Sequence, residues 1–162
     1  MTHRYVKELI KILSSKDLDF RPVLQQVFAC NNKLYVTDGY IAIEILESDN
    51  VAGKCMTLQQ LKVWEATHPD KNAIVTSDDL HTLEDSMPDM EKLLSGSFEK
   101  PSRVALDIKK LKQCCDFLKC TQFEVKQNSN NENLYQIVPL DDNRAILEKA
   151  FDSKVYLMGV KA

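Results

Sequence analysis

The chain has 162 residues, 44% of them hydrophobic, and a formal net charge of -3. That length can bury a real core in one compact domain or two small subdomains, and the acidic balance excludes a globally basic nucleic-acid protein while leaving room for a local basic face. No run approaches the roughly 18 consecutive apolar residues of a membrane span, and charges interrupt the apolar pattern of the first residues, so a cytoplasmic chain without a signal peptide is expected.

In chain order, Val6, Leu9, Ile10 and Leu13 sit at helical spacing and predict an amphipathic helix over residues 4–15. Arg4, Lys7 and Lys11 fall on its opposite stripe. From Val23 to Cys30 the alternation reads as a strand, Asn31-Asn32 as a turn, and "LYVTDGYIAI" as two strands hinged at Asp38-Gly39. Asp-Gly is a preferred pair for a type I′ hairpin, so a three-stranded antiparallel meander is expected here. A polar link then leads into "MTLQQLKVWEAT", a second helix with Leu58, Leu61 and either Trp64 or Ala66 inward, closed by His68-Pro69-Asp70.

"NAIVTS" and "LHTLE" read as short strands, and "SMPDMEKLLSGSFEKPS" as a connector with an apolar anchor at Leu93-Leu94. A boundary is placed there, giving a first domain over 1–96 and a partial second one over 97–162. "RVALDIKKLKQCCDFLK" predicts a strand running into a third helix, with Leu111, Cys115 and Leu118 inward and Lys109, Lys112, Asp116 and Lys119 outward. "QFEVKQ", "LYQIVPL" and "KVYLMGV" read as strands with the polar turn "NSNNEN" between the first two, and "RAILEKAF" fits strand or helix.

The organisation repeats as helix then strands over 4–46, 57–85 and 106–160, which predicts an α+β fold of repeated helix-plus-antiparallel-strand units. Two of the three outer helix faces are basic. Aligned cations without stacking aromatics suit tracking of a phosphate backbone and not base readout, so Arg4, Lys7, Lys11, Lys109, Lys112 and Lys119 are the candidate DNA-facing residues.

Enzymatic chemistry has little support. His3, His68 and His81 lack a Cys or Ser partner in any motif, and no phosphate-cradling glycine loop occurs. The acidic pairs Asp78-Asp79, Glu84-Asp85 and Asp141-Asp142 read as solvated loop residues; a metal-dependent nuclease built on Asp78 and Asp79 is the enzyme alternative. The five cysteines contain no C-x-x-C pair, so neither a disulfide framework nor a zinc ribbon is indicated, and a zinc site would need Cys114, Cys115 and Cys120 with a distant His. No cofactor and no metal are expected.

Three segments carry a family resemblance. "RPVLQQVFACNNKLYVTDGYIAIEI" resembles the stretch of bacterial DNA polymerase III beta sliding clamps in which R-P-x-L-x-G-V leads through a hairpin to A-T-D-G-H-R-L-A. "MPDMEKLL" is similar to that family's F-P-D-Y-x-x-L-I connector, and "VYLMGVKA" to its closing Y-L-x-M-P-x-R-L. The resemblance implies a DNA-clamp-like fold and a processivity factor of DNA replication that grips short peptide motifs of polymerases and other clamp-binding proteins. Carried onto matching positions, the peptide pocket would comprise Leu24, Thr37, Gly39, Tyr40, Ile41, Pro88, Lys92, Leu93, Met158 and Val160. The departures are Tyr40-Ile41 for His-Arg, Gly159 for the tail proline and Lys161-Ala162 for Arg-Leu, in a chain less than half as long as a clamp subunit. Encirclement of double-stranded DNA would then need a homo-oligomer or a mixed ring. The alternative is a non-encircling clamp-fold module, a binder or competitor of a full-length clamp, for instance on a mobile element.

Overall fold

The computed structural model describes residues 1–46, 50–140 and 153–160. The chain divides into two compact units, Met1–Asp38 with Glu44–Met90, and Gly39–Ile43 with Glu91–Ala162. Each combines helix with antiparallel strands, so the fold is α+β.

The first unit is organised by two capped helices. α1 (His3–Leu13) starts at Thr2, whose hydroxyl oxygen accepts the Tyr5 N–H, and buries Val6, Leu9 and Leu13 completely. α2 (Leu58–Thr67) starts in a reciprocal cap: Thr57 Oγ1 accepts the Gln60 N–H at 3.2 Å while Gln60 Oε1 accepts the Thr57 N–H at 2.8 Å. Its inward residues are Leu61 and Trp64; Ala66 is exposed and Leu58 half-buried. Trp64 stacks on His68, ring centroids 4.6 Å apart, where the helix ends.

The two helices pack on each other beside β1 (Gln26–Cys30), β2 (Lys33–Thr37), β3 (Ile41–Leu46), β4 (Lys54–Thr57) and β5 (His81–Thr82), whose order is β5-β4-β1-β2-β3. β1 is the central strand: it pairs Val27 with Met56 on one side and Ala29 with Leu34 on the other. Val27 and Phe28 are fully buried, each burial contributing on the order of 2 kcal/mol.

Several expectations are corrected in this unit. Strand β1 begins at Gln26 and not at Val23, because Pro22–Leu24 form one 3-10 turn that Pro22, with its fixed φ and no N–H, is suited to open. The Asp38-Gly39 pair is no type I′ turn: Gly39 alone takes positive φ, at 88°, and the link to β3 runs through Asp38, Gly39 and Tyr40. "NAIVTS" forms no strand beyond a single bridge between Ile74 and Thr2, and "LHTLE" shrinks to the two residues of β5.

In the second unit, β6 (Phe98–Glu99), β7 (Phe123–Asn128), β8 (Leu134–Pro139) and β9 (Ser153–Met158) follow the first half of β3 in the order β3-β9-β8-β7-β6. α4 (Ile108–Leu118) packs against β8 and β9. Asp107 caps it by accepting the N–H groups of Lys109 and Lys110 at 2.8 and 3.1 Å, and Lys119 closes it in the left-handed conformation at φ 54°. Asn128 organises the polar turn after β7, its Oδ1 accepting the N–H groups of both Asn130 and Asn131.

The inward face of α4 is Cys114, Phe117 and Leu118; Leu111 and Cys115, expected inward, are only half-buried. The expected strand at "RVAL" is irregular chain. The connector forms one helical turn, α3 (Met90–Leu93), anchored by buried Met90 and not by Leu93, which is 58% exposed. The segment "RAILEKAF" lies outside the described residues. No helix among the described residues is long and apolar enough to cross a membrane.

Candidate functional site

Ten residues were expected to line a peptide pocket, and they fall into a group in each unit. In the first unit Leu24 is buried at the end of its 3-10 turn, Thr37 is buried at the end of β2 and Pro88 is half-buried. Gln26 links two of them indirectly: its Nε2 donates to Val23 O at 2.7 Å and to Asp85 Oδ2 at 3.0 Å. With Cys30 Sγ donating to Asp89 Oδ1 at 3.9 Å, these bonds lay the 85–89 segment, including Pro88, along β1 just past Leu24.

The second unit holds Gly39, Tyr40, Ile41, Lys92, Leu93, Met158 and Val160. Here the corner and the tail meet: the carbonyl of Tyr40 accepts the Met158 N–H at 2.7 Å. Ile41 is buried at 2% exposure, whereas Tyr40 is 52% exposed, so the corner turns one side chain into the core and offers the other to solvent. Lys110, in the first turn of α4, lies over the Tyr40 ring with Nζ 5.1 Å from the centroid, an attraction worth about 0.5–1 kcal/mol at an exposed site.

Beyond β9 the tail stays fixed. Gly159 N–H donates to Asn133 O at 2.6 Å and Val160 N–H to Ala105 O at 3.0 Å. A Cβ on residue 159 would lie 2.7 Å from Tyr135 Cε2 and 2.9 Å from the Ala105 carbonyl oxygen. Glycine is required by that approach and the N–H by the bond, which together explain why a proline does not fit there. Val160 stands at the rim of an open cleft of about 480 Å³ walled by Ser102, Arg103, Gln127, Glu132 and Tyr135. Val104 and Ile108, from the same stretch as Ala105, are exposed apolar side chains. Lys92 and Leu93 are exposed on α3.

The six candidate DNA-facing residues are all exposed, but on two separate helices, one in each unit. Three of them face carboxylates: Lys7 Nζ lies 3.5 Å from Glu65, Lys11 3.0 Å from Glu8 and Lys112 2.6 Å from Asp116. Such surface pairs add little stability, but they lower the charge that the stripes present to an anionic ligand.

Among the described residues no three or more His, Cys, Asp or Glu are grouped so as to hold a metal ion, and no disulfide joins the cysteines. Cys114 and Cys120 are buried and Cys115 half-buried. Burial pushes the Cys55 thiol above its usual range, and the nearby Asp85 and Glu84 carboxylates push it further the same way. Asp78 and Asp79 lie in a 3-10 turn where Asp79 Oδ2 accepts the Thr76 N–H at 2.8 Å, a capping role. No family model, no curated protein and no solved structure matches the chain.

Proposed function

We propose that this chain is a non-enzymatic, sliding-clamp-like accessory of DNA replication that acts by capturing short peptide motifs of polymerase-type partners. The observation that carries this reading is the 2.7 Å bond from Met158 N–H to the Tyr40 carbonyl. It joins two of the three segments that resemble a clamp's peptide-binding pocket, and leaves Tyr40 and Val160 with exposed surface for a ligand. The anchors of peptide recognition are apolar or aromatic groups on a fixed frame, and both segments are fixed by backbone hydrogen bonds.

The carboxylate partners of Lys7, Lys11 and Lys112 favour the non-encircling form of this function, a clamp-fold binding module or competitor, over a ring that tracks double-stranded DNA. Tyr40-Ile41 and Gly159 respecify the pocket relative to the family's His-Arg and proline.

The test is fluorescence anisotropy of a labelled peptide carrying a Gln followed by a Leu-Phe pair, titrated with wild type and with Tyr40→Ala and Met158→Ala variants at two salt concentrations. Saturable binding that both variants weaken at least about fivefold, and that salt leaves within about twofold, is the expected result. No binding at high protein concentration, or binding indifferent to both variants, rejects the peptide reading. A duplex DNA probe measured alongside should bind weakly and lose its affinity with salt.

A further inference from the structure

The cleft beside the tail lies wholly in the second unit, and hydrogen bonds fix its wall segments to one another. Residues 102–105 are held three ways: Ser102 N–H donates to Gln127 Oε1 at 3.3 Å, the Tyr135 hydroxyl donates to Arg103 O at 3.2 Å, and Val160 N–H donates to Ala105 O at 3.0 Å. The turn after β7 is held by Gln127 Nε2, which donates to Glu132 O at 2.7 Å, and by Gly159 N–H, which donates to Asn133 O. One side chain, Gln127, therefore braces both charged parts of the wall, accepting from the neighbour of Arg103 and donating to Glu132.

This frame uses backbone groups with the Gln127 and Tyr135 side chains, and it leaves the charges over. Arg103 and Glu132 are exposed, and among the described residues neither the guanidinium nor the carboxylate has an ion-pair or hydrogen-bond partner. The cations of the helix stripes differ, since Lys7, Lys11 and Lys112 each have a carboxylate close by. Ala105, Tyr135 and Val160 supply the apolar lining.

We infer that this cleft binds a small zwitterion with an apolar side chain, of the class of a free amino acid or a dipeptide, its carboxylate on Arg103 and its ammonium group on Glu132. A guanidinium offers two parallel N–H donors to the two oxygens of a carboxylate, and the Glu132 carboxylate accepts from an ammonium group. The volume of about 480 Å³ falls within the roughly 300–1,000 Å³ of small-molecule sites. One charge of each sign selects against other ligands: a polyanion meets Glu132 and a polycation meets Arg103. Single exposed charges are ordinarily left to solvent. Here the two stand on segments locked together through Gln127, so the backbone that carries them is set before a ligand arrives. This inference does not rest on peptide capture at Tyr40 and Met158.

The experiment is a two-dimensional NMR titration of the full chain with leucine and with leucyl-leucine, read at the backbone amides of Ala105, Asn133 and Val160. At least one probe should give saturable shifts at these amides below about 20 mM, and the tighter of the two tells amino acid from dipeptide. For that ligand, amidating the carboxylate and acetylating the amine should each weaken binding at least about fivefold. Arg103→Gln should erase the penalty for amidation and keep that for acetylation, and Glu132→Gln should do the reverse; the preference each variant keeps shows that its cleft is intact. Absence of saturable shifts from both probes overturns the proposal. A penalty that survives the variant meant to remove it, or a variant that loses both penalties, overturns it as well.

Discussion

Gly159→Ala tests how the tail is held. The added Cβ meets Tyr135 Cε2 at 2.7 Å and the Ala105 carbonyl oxygen at 2.9 Å, and the second of these is backbone that also accepts the Val160 N–H at 3.0 Å. Rotating the ring relieves only the first contact, and moving residue 105 lengthens a hydrogen bond. Overpacking of this kind costs about 1–3 kcal/mol. Gly159→Pro adds the loss of the 2.6 Å bond to Asn133 O, about 1 kcal/mol more. For a chain of this size each kcal/mol is worth roughly 2–4 °C of melting temperature. The assay is thermal and urea unfolding followed by far-ultraviolet circular dichroism, with amide exchange read on β8 and β9. Trp64, the chain's one tryptophan, belongs to the first unit, so its fluorescence serves as an internal control. The expected order of stability is glycine, alanine, proline, with exchange accelerated at Tyr135 and Leu157 and Trp64 emission unchanged in native buffer. An alanine variant within about 0.3 kcal/mol of wild type would refute the claim that the tail is held by close approach.

Two further outcomes follow from the caps and the thiols. Thr57→Ala removes one half of the reciprocal cap with Gln60 and should lower stability by about 1 kcal/mol, measured by urea unfolding of the Trp64 signal; Thr57→Ser should retain most of it. The raised Cys55 thiol should react with iodoacetamide more slowly than half-exposed Cys30 at every pH below 9, as read by peptide mass mapping. Because the folded state holds that proton more tightly than the unfolded chain, the thiol's contribution to stability is full below pH 9 and is lost as pH rises through the folded value. A Cys55→Ala variant should show a flatter decline of stability above pH 9.

The three longer helices were legible from their apolar spacing; their starting caps, Thr2, Thr57 with Gln60, and Asp107, are seen in the structure. The orientation of α4 was not, since Leu111, Cys115 and Leu118 and the observed Cys114, Phe117 and Leu118 both satisfy a helical period; packing against β8 and β9 decides between them. "NAIVTS" and "RVAL" alternate like strands, but a strand exists only where a neighbour completes its ladder, and among the described residues the first makes only the Thr2–Ile74 bridge and the second only the Val160 bond to Ala105 O. At the candidate site the corner and the tail could each be singled out by resemblance. That the Tyr40 carbonyl bonds Met158, or that Lys110 covers the Tyr40 ring, depends on contacts between segments distant in the chain that no local pattern encodes. The carboxylate partners were not read from the sequence: those of Lys11 and Lys112, Glu8 and Asp116, sit at helical spacing three and four residues away, whereas Glu65, the partner of Lys7, lies on another helix.

The allotment of Gly39–Ile43 to the second unit has a consequence for how the protein can be made or dissected. A fragment cut at Met90 would lack those residues, and its Met158 N–H would lose the Tyr40 carbonyl. During synthesis the segment Gly39–Ile43 is translated long before β9, so its bond to Met158 must wait until β9 has emerged. Strand β9 leaves the ribosome long after Gly39–Ile43 and completes the structure that they begin, which makes the finished second unit depend on synthesis through Met158.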